Sequence, residues 1–255
     1  MSAMKCAPPI WLALASIALP LIAAGATPDA EPDSAHLLEQ ADRSRGNLEG
    51  VRWTVTLITG GEDAPRGRTY RVAARDFDFL AECVAPPRRR GYRLLQTRGN
   101  MWFYKPDLSK PVPISRRQKL MGNAAYGDIA ATNYSEDYET VSREPARLDG
   151  IPCWVLDLEA RGSHVTYDRI RYWIERDRRV GLKAEYYTVS GKLFKSADIE
   201  YGHRVEDGPT GSRPFISKMT IHDELTGGED TILEFADPRL EEIDAATLSV
   251  NRLGE

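Results

Sequence analysis

The chain has 255 residues, 42% of them hydrophobic, and its 34 basic and 38 acidic residues give a net charge of −4. This mild acidity argues against a nucleic-acid partner, because binding to phosphates requires a basic surface. The apolar fraction is sufficient for a substantial core, and the length fits one large all-β domain or two small ones.

Residues 1–26 have the organisation of a cleavable secretory signal peptide. Lys5 supplies a positive charge, an apolar run extends from residue 10 to 22, and Ala24-Gly25-Ala26 has the small-x-small pattern of a cleavage site. The alternative is a retained membrane anchor, but the run is shorter than the roughly 20 apolar residues of a spanning helix and contains Pro20. We therefore expect export, removal of residues 1–26, and a single mature domain at 27–255.

The first predicted element of the mature domain is a short amphipathic helix from Ser34 to Arg45. The hydrophobic period then changes to two, and Trp53, Val55 and Leu57 alternate with polar residues as in a half-buried strand. Similar segments recur as far as Phe235, separated by turn pairs. The pattern predicts a mostly β fold of about 10–11 antiparallel strands in one large, curled sheet.

The stretch from Arg116 to Asn133 differs from the rest because it contains few β-branched residues. Its apolar residues, from Leu120 to Ala130, recur at near-helical spacing and predict one or two short helices, interrupted by Gly122 and Gly127. Together with the helix at Ser34, these segments would cover the apolar face of the sheet.

Two cysteines, Cys83 and Cys153, remain in the mature chain, and both lie in apolar, strand-like surroundings. Outside the cytosol such a pair tends to oxidise, so a disulfide is one expectation. Two separate buried thiols are the other.

Motifs for catalysis, metal binding or cofactor binding are missing from the sequence, which contains neither a nucleophile elbow nor a phosphate-binding loop. His222 and Glu224 would share one face of a strand, and a solvated strand end explains them better than a metal site. The expectation is therefore no enzyme activity, no metal and no cofactor.

Several predicted strands carry large apolar groups on both faces, as in the pairs Trp102-Phe103, Trp154-Val155 and Trp173-Ile174. A sheet with one solvated face would alternate cleanly. Either both faces are covered by a packed core, or one face lines a cavity for an apolar ligand.

The segment Gly99–Asp107 (GNMWFYKPD), followed by Leu120-Met121-Gly122 and then by Tyr134–Tyr138 (YSEDY), resembles the outer-membrane lipoprotein-sorting protein family. Members of that family are similar to the LolA/LolB lipoprotein carriers. Further similar runs lie at 171–192 and 218–235, so the resemblance covers most of the mature chain. The segment from 123 to 133 is longer here than in the family pattern, which alters the predicted lid.

The resemblance implies a LolA/LolB-like half-open β-barrel, closed by short helices, that holds acyl chains in the periplasm of a Gram-negative bacterium. The implied function is a monomeric carrier or receptor of lipid or lipoprotein acyl chains, with an inner-membrane transporter or an outer-membrane acceptor as its partner. The alternative is a lipid sensor or assembly module that acts through a protein partner. The residues predicted to line the cavity are Trp53, Val55, Leu57, Phe103, Trp154, Leu156, Tyr172 and Trp173. The predicted lid residues are Leu120, Met121 and Tyr126.

Overall fold

A computed structural model describes residues 1, 32–60, 66–207 and 211–254. Apart from Met1, the predicted signal peptide lies outside the described residues. None of the helices in the described part of the chain has the length and apolar character needed to cross a bilayer.

The helices of the described chain are few and short. They are α1 (Ser34–Arg43) and α2 (Tyr134–Asp137), with 3-10 turns at Pro87–Arg89, Tyr126–Ile129, Ala245–Leu248 and Val250–Arg252. The strands are β1 (Leu48–Thr59), β2 (Arg66–Asp76), β3 (Asp78–Ala85), β4 (Arg93–Thr97), β5 (Asn100–Tyr104), β6 (Val112–Ile114), β7 (Lys119–Met121), β8 (Ala124–Ala125), β9 (Tyr138–Leu148), β10 (Ile151–Ala160), β11 (Arg169–Glu175), β12 (Gly181–Tyr187), β13 (Leu193–Glu200), β14 (His203–Asp207), β15 (Gly211–Phe215), β16 (Lys218–Asp223) and β17 (Thr231–Leu240).

Within the residues that the structure describes, thirteen strands form one open sheet in the order β6-β5-β4-β3-β2-β1-β17-β16-β13-β12-β11-β10-β9. Each hydrogen-bonded pair of neighbours is antiparallel; Trp53 of β1, for example, lies opposite Val72 of β2. Two further hairpins, β7-β8 and β14-β15, stand apart from this sheet. The predicted mostly β fold with one large antiparallel sheet is confirmed, although the main sheet has more strands than expected. The strands that contain Pro113 and Pro145 form its two edges, where a missing N–H donor is tolerated.

The period-two pattern of the sequence places apolar side chains on one face of the sheet, here called the inner face. Val51, Trp53, Val55 and Leu57 of β1 are all buried there, in the main hydrophobic core of the protein. Because side chains alternate along a strand, the residues between them point to the opposite, outer face.

The outer face is covered over part of the sheet by the C-terminal segment. Ile243, Leu248 and Leu253 pack with Ala73 and Leu95 in a second, smaller hydrophobic cluster. Trp102 of β5 also packs against this cluster, whereas its neighbour Phe103 packs against the main core. In this part of the sheet, apolar residues occur on both faces because both faces are covered.

The prediction of helices between Arg116 and Asn133 is wrong. This stretch contains the β7-β8 hairpin and a 3-10 turn, and the helix α2 begins only at Tyr134. Gly122 lies at the hairpin turn with φ of +53°, a conformation that ends a right-handed helix. Asn123 is held by a distant partner, because its backbone N–H donates to Thr231 Oγ1 at 2.7 Å. Such long-range contacts override the local helical spacing.

Candidate functional site

The inner face is a continuous apolar surface that extends across the sheet. Residues of β1, β2, β10, β11, β16 and β17 contribute to a single core, with Val55, Leu57, Leu156, Tyr172 and Leu233 fully buried. Two structural units cover it: α1 and the segment 116–137, together called the lid. Leu37 and Leu38 of α1 and Leu120 and Met121 of β7 belong to the same core.

The lid segment 116–137 is attached to the rest of the protein by polar contacts at separate points. Arg116 Nε donates to the His164 carbonyl at 2.5 Å, and Arg117 Nε donates to the Val165 carbonyl at 3.0 Å. At the hairpin, Arg68 Nη1 donates to the Leu120 carbonyl at 2.8 Å. The apolar part of this segment includes small side chains, among them Ala124, Ala125, Ala130 and Ala131.

One attachment of the lid is a buried ion pair. Asp128 lies in the 3-10 turn of the lid, and its Oδ2 is 3.6 Å from Lys195 Nζ of β13. The Tyr167 hydroxyl donates to Asp128 Oδ1 at 2.7 Å and accepts from Lys195 Nζ at 2.9 Å. Asp128 and Lys195 are 5% and 8% exposed, so each charge depends on the other for compensation.

Tyrosine rings fill the inner face beneath α2. Tyr134 packs edge-on against Tyr138 and Tyr172, with ring centroids 5.3 Å apart in each case. Tyr167 stacks on Tyr186 with a centroid separation of 3.8 Å. Burial raises the pKa of Tyr172 and Tyr186 well above the ordinary value, so these phenols are neutral hydrogen-bonding groups.

Asp42 connects α1 to α2 and is almost completely buried. Its Oδ2 accepts hydrogen bonds from the backbone N–H and the hydroxyl of Ser135, each at 2.9 Å. Burial removes water from the carboxylate and raises its pKa from 3.8 to about 6, although these hydrogen bonds oppose the shift.

A pH dependence of stability follows from this raised pKa. Between pH 4 and 6 the native state binds a proton that the unfolded state has released, so stability falls as the pH rises through this window. The Asp42→Asn variant lacks this loss. Relative to the wild type, its free energy of unfolding should therefore rise by up to about 3 kcal/mol between pH 4 and pH 7. Urea unfolding at both pH values measures the difference, and a difference that does not change with pH would contradict the assignment.

The structure brings most of the sequence-predicted site residues together. Trp53, Val55, Leu57, Trp154, Leu156 and Tyr172 lie on the inner face in one core, and Phe103 is partly buried against it. Of the predicted lid residues, Leu120 and Met121 are buried in the same core and Tyr126 is partly buried against it. Their use in ligand binding remains a prediction.

The placement of Trp173 on the inner face is wrong. Tyr172 occupies the inner face, so its neighbour Trp173 points to the outer face. There the Trp173 ring lies under the Arg171 guanidinium at 5.6 Å and the Lys183 ammonium at 5.0 Å. Two consecutive residues of a regular strand cannot line the same surface.

Cys83 and Cys153 are free, buried thiols, so the structure has the second of the two arrangements expected from the sequence. Each thiol contacts a nearby carbonyl oxygen, Ala85 O at 3.2 Å and Ile151 O at 3.4 Å respectively. Burial raises the pKa of both thiols, which disfavours the reactive thiolate.

His222 is not close to a metal-binding set. Its ring nitrogens contact Oδ1 of Asp230, the residue before β17, at 2.8 Å and Oδ2 of Asp198 in β13 at 3.0 Å. These carboxylates raise the pKa of His222 against the opposing effect of burial. Among the described residues, no group of three His, Cys, Asp or Glu side chains could hold a metal ion.

Sequence reasoning missed the charged groups of the interior, among them Arg45, Asp42, Asp128 and Lys195. In the sequence each of them resembles an ordinary solvated charge, and Asp128 and Lys195 are brought together only by the folding of the lid onto β13. Tyr186 can be recognised from the sequence, because Ala184 and Tyr186 share one face of β12 and alternate with Lys183 and Glu185.

Comparisons with known proteins agree with this architecture. A family model described as an uncharacterized protein family matches residues 76–255. A LolA superfamily protein from Nitrosomonas europaea is 27% identical, with a TM-score of 0.73 over 85% of this chain and 97% of that chain. An outer membrane lipoprotein-sorting protein domain from Vibrio parahaemolyticus is 17% identical, with a TM-score of 0.72 over 87% and 98% of the two chains. A DUF1329 family protein from Desulfovibrio piger is 18% identical, with a TM-score of 0.70 over 86% and 97%.

No curated protein sequence matches the chain. The open antiparallel sheet with a lid over its inner face defines a protein of the lipoprotein-sorting fold class. The chain belongs to the family described by that model, and its fold is that of the LolA superfamily and lipoprotein-sorting structures.

Proposed function

We propose that the protein is a periplasmic carrier that shelters an acyl chain of a lipid or lipoprotein between the inner face and the lid. The carrier works by transfer and involves no covalent step, so it is not an enzyme. It is exported by the signal peptide at 1–26 and acts as the single mature domain 27–255, a monomer. Its partners are an inner-membrane donor or an outer-membrane acceptor.

The observation that supports this proposal most is the way in which the inner face is covered. A sheet face with fully buried Val55, Leu57 and Leu233 lies beneath a lid segment that is held by separate polar contacts. A lid attached in this way can separate from the sheet without unfolding the strands, because the sheet has its own hydrogen bonds.

An acyl chain that enters between the lid and the sheet takes the place of the lid side chains against the inner face. The small side chains of Ala124, Ala125, Ala130 and Ala131 bury little apolar area individually. Each CH₂ group of an acyl chain contributes about 0.8 kcal/mol when buried. A chain of about a dozen carbons can therefore offset the loss of the lid contacts and the cost of ordering the ligand.

Native mass spectrometry of the protein purified from a periplasmic extract, followed by lipid extraction, tests the carrier. We expect an acyl-containing ligand on the wild type and at least about a tenfold lower occupancy on Met121→Asp, because the variant places a charge against the inner face. Val189→Asp is the matched control, since Val189 is 74% exposed and its variant should retain the ligand.

Circular dichroism establishes that both variants are folded before their occupancies are compared. A wild-type protein that is reproducibly free of lipid, and that takes up no fluorescent fatty acid, would contradict the proposal.

A further inference from the structure

The interior contains a buried arginine whose hydrogen-bonding capacity is mostly unused. Arg45 follows the C-terminal end of α1 and is 6% exposed. Its Nη2 contacts Met219 Sδ at 3.7 Å, while Nε and Nη1 have no acceptor in the described part of the protein. Because burying an unpaired cation is costly, such a group calls for an explanation.

The groups around Arg45 also have an excess of donors. Tyr134 places its ring 5.5 Å from the guanidinium carbon, and Tyr172 packs against Tyr134. The Tyr172 hydroxyl and the Trp53 indole N–H belong to the same core, and in the described part of the protein neither forms a hydrogen bond of normal geometry. Among the described residues, the unmatched buried acceptors are Asp42 Oδ1 and Gln96 Oε1, and the Tyr172 hydroxyl can act either way.

Burial raises the pKa of Asp42 and the positive charge of Arg45 acts to lower it, but Asp42 Oδ1 and the Arg45 Nε and Nη1 atoms form no hydrogen bond in the described part of the protein. The other carboxylate oxygen of Asp42, Oδ2, accepts from Ser135 of α2, which directs the carboxylate toward the lid. The Arg45 Nε and Nη1 donors therefore still lack a hydrogen-bond acceptor, and a negatively charged acceptor would suit them best.

We propose that Arg45 and Tyr172 bind the anionic head of a single-chain amphiphile, a carboxylate or a phosphate monoester, whose alkyl chain lies along the inner face. This inference rests on the proposed carrier function and specifies its ligand class. The lid controls access, since the Thr132 N–H donates to the Arg45 carbonyl at 3.4 Å and Tyr134 covers the guanidinium. When α2 and the residues before it move away, Nε and Nη1 become accessible for a bidentate contact with the head group.

Three probes with the same alkyl chain test the proposal: dodecanoate, dodecyl phosphate and dodecanol. Binding to the full-length mature protein is measured by native mass spectrometry and tryptophan fluorescence. We expect at least one of the two anionic probes to bind the wild-type protein at least about tenfold more tightly than dodecanol. A tenfold difference in affinity corresponds to the contribution of about one hydrogen bond to a charged group. The ratio between the two anions distinguishes a carboxylate from a phosphate head.

Arg45→Met should abolish this preference, because it should weaken the binding of the anionic probes and leave the affinity for dodecanol unchanged. Tyr172→Phe should reduce the preference by a smaller factor. Arg43→Met is the matched control, because it removes an exposed arginine at the last residue of α1, two positions before Arg45, and should leave the preference intact. If Arg45→Met fails to fold, the wild-type preference and its reduction in Tyr172→Phe still decide the question.

Equal binding of all three probes by the wild type would overturn this inference and leave the carrier intact. It would mean that Arg45 has a purely structural role, solvated by a buried water. The same conclusion follows if Arg45→Met is folded and retains the preference. Failure of every probe to bind, dodecanol included, would overturn the carrier function together with this inference.

Discussion

Replacement of Asp128 with asparagine should cost about 3 kcal/mol or more and should open the lid. The change leaves the Lys195 ammonium buried without its counter-charge, and removing one partner of a buried ion pair is strongly destabilising. We expect the opening to be local, because the sheet beneath keeps its own hydrogen bonds. Hydrogen exchange should accelerate in 116–137 while β1 and β17 stay protected.

Two variants separate this effect from a general loss of stability. The double variant Asp128→Asn/Lys195→Met should recover most of the protection of the lid, since it removes both charges. Asp107→Asn breaks the exposed ion pair with Lys105 and should have no measurable effect. Unchanged exchange of 116–137 in Asp128→Asn would show that the buried pair does not hold the lid.

Replacement of Gly181 with alanine should destabilise the whole protein by about 3 kcal/mol. A Cβ atom at this position would lie 1.8 Å from Tyr172 Oη and 2.0 Å from Tyr172 Cζ. Tyr172 is fully buried and cannot move without disturbing the inner face, so the added methyl group overpacks the core. Urea unfolding measures the loss.

The origin of this effect can be tested by a double-mutant cycle. The cost of Gly181→Ala should be much smaller in a Tyr172→Leu background, because the smaller side chain leaves room for the methyl group. Gly162→Ala should be close to neutral, since nothing lies within 4 Å of its Cβ position. Equal costs of Gly181→Ala in both backgrounds would rule out the contact with Tyr172 as the cause.

Elements with a strong local pattern could be predicted from the sequence. The helix expected at Ser34–Arg45 is α1 at Ser34–Arg43, and the strand expected at Trp53, Val55 and Leu57 is part of β1. In both cases the spacing of the apolar residues indicates which face of the helix or strand is buried. The inner-face positions of Trp53, Val55 and Leu57 follow from the same alternation.

The rest depends on contacts between residues that are distant in the chain. The lid hairpin is fixed by Thr231 and Arg68, which the near-helical spacing of Leu120 and its neighbours does not reveal. Which residues of β11 point to the inner face depends on what packs against each face of the sheet, and this also determines the face on which Trp173 lies. Arg45 becomes a candidate binding residue only when the folded chain has buried it.

The two edge strands, β6 and β9, determine what can happen when copies of the protein meet. An open sheet presents unpaired backbone groups at each end, and these can recruit a further strand from another molecule. Pro113 in β6 and Pro145 in β9 have no N–H to donate, and Arg143, Glu144 and Arg147 add charge along the second edge. Growth of the sheet into a polymer by addition of strands from other molecules is thus discouraged at both ends.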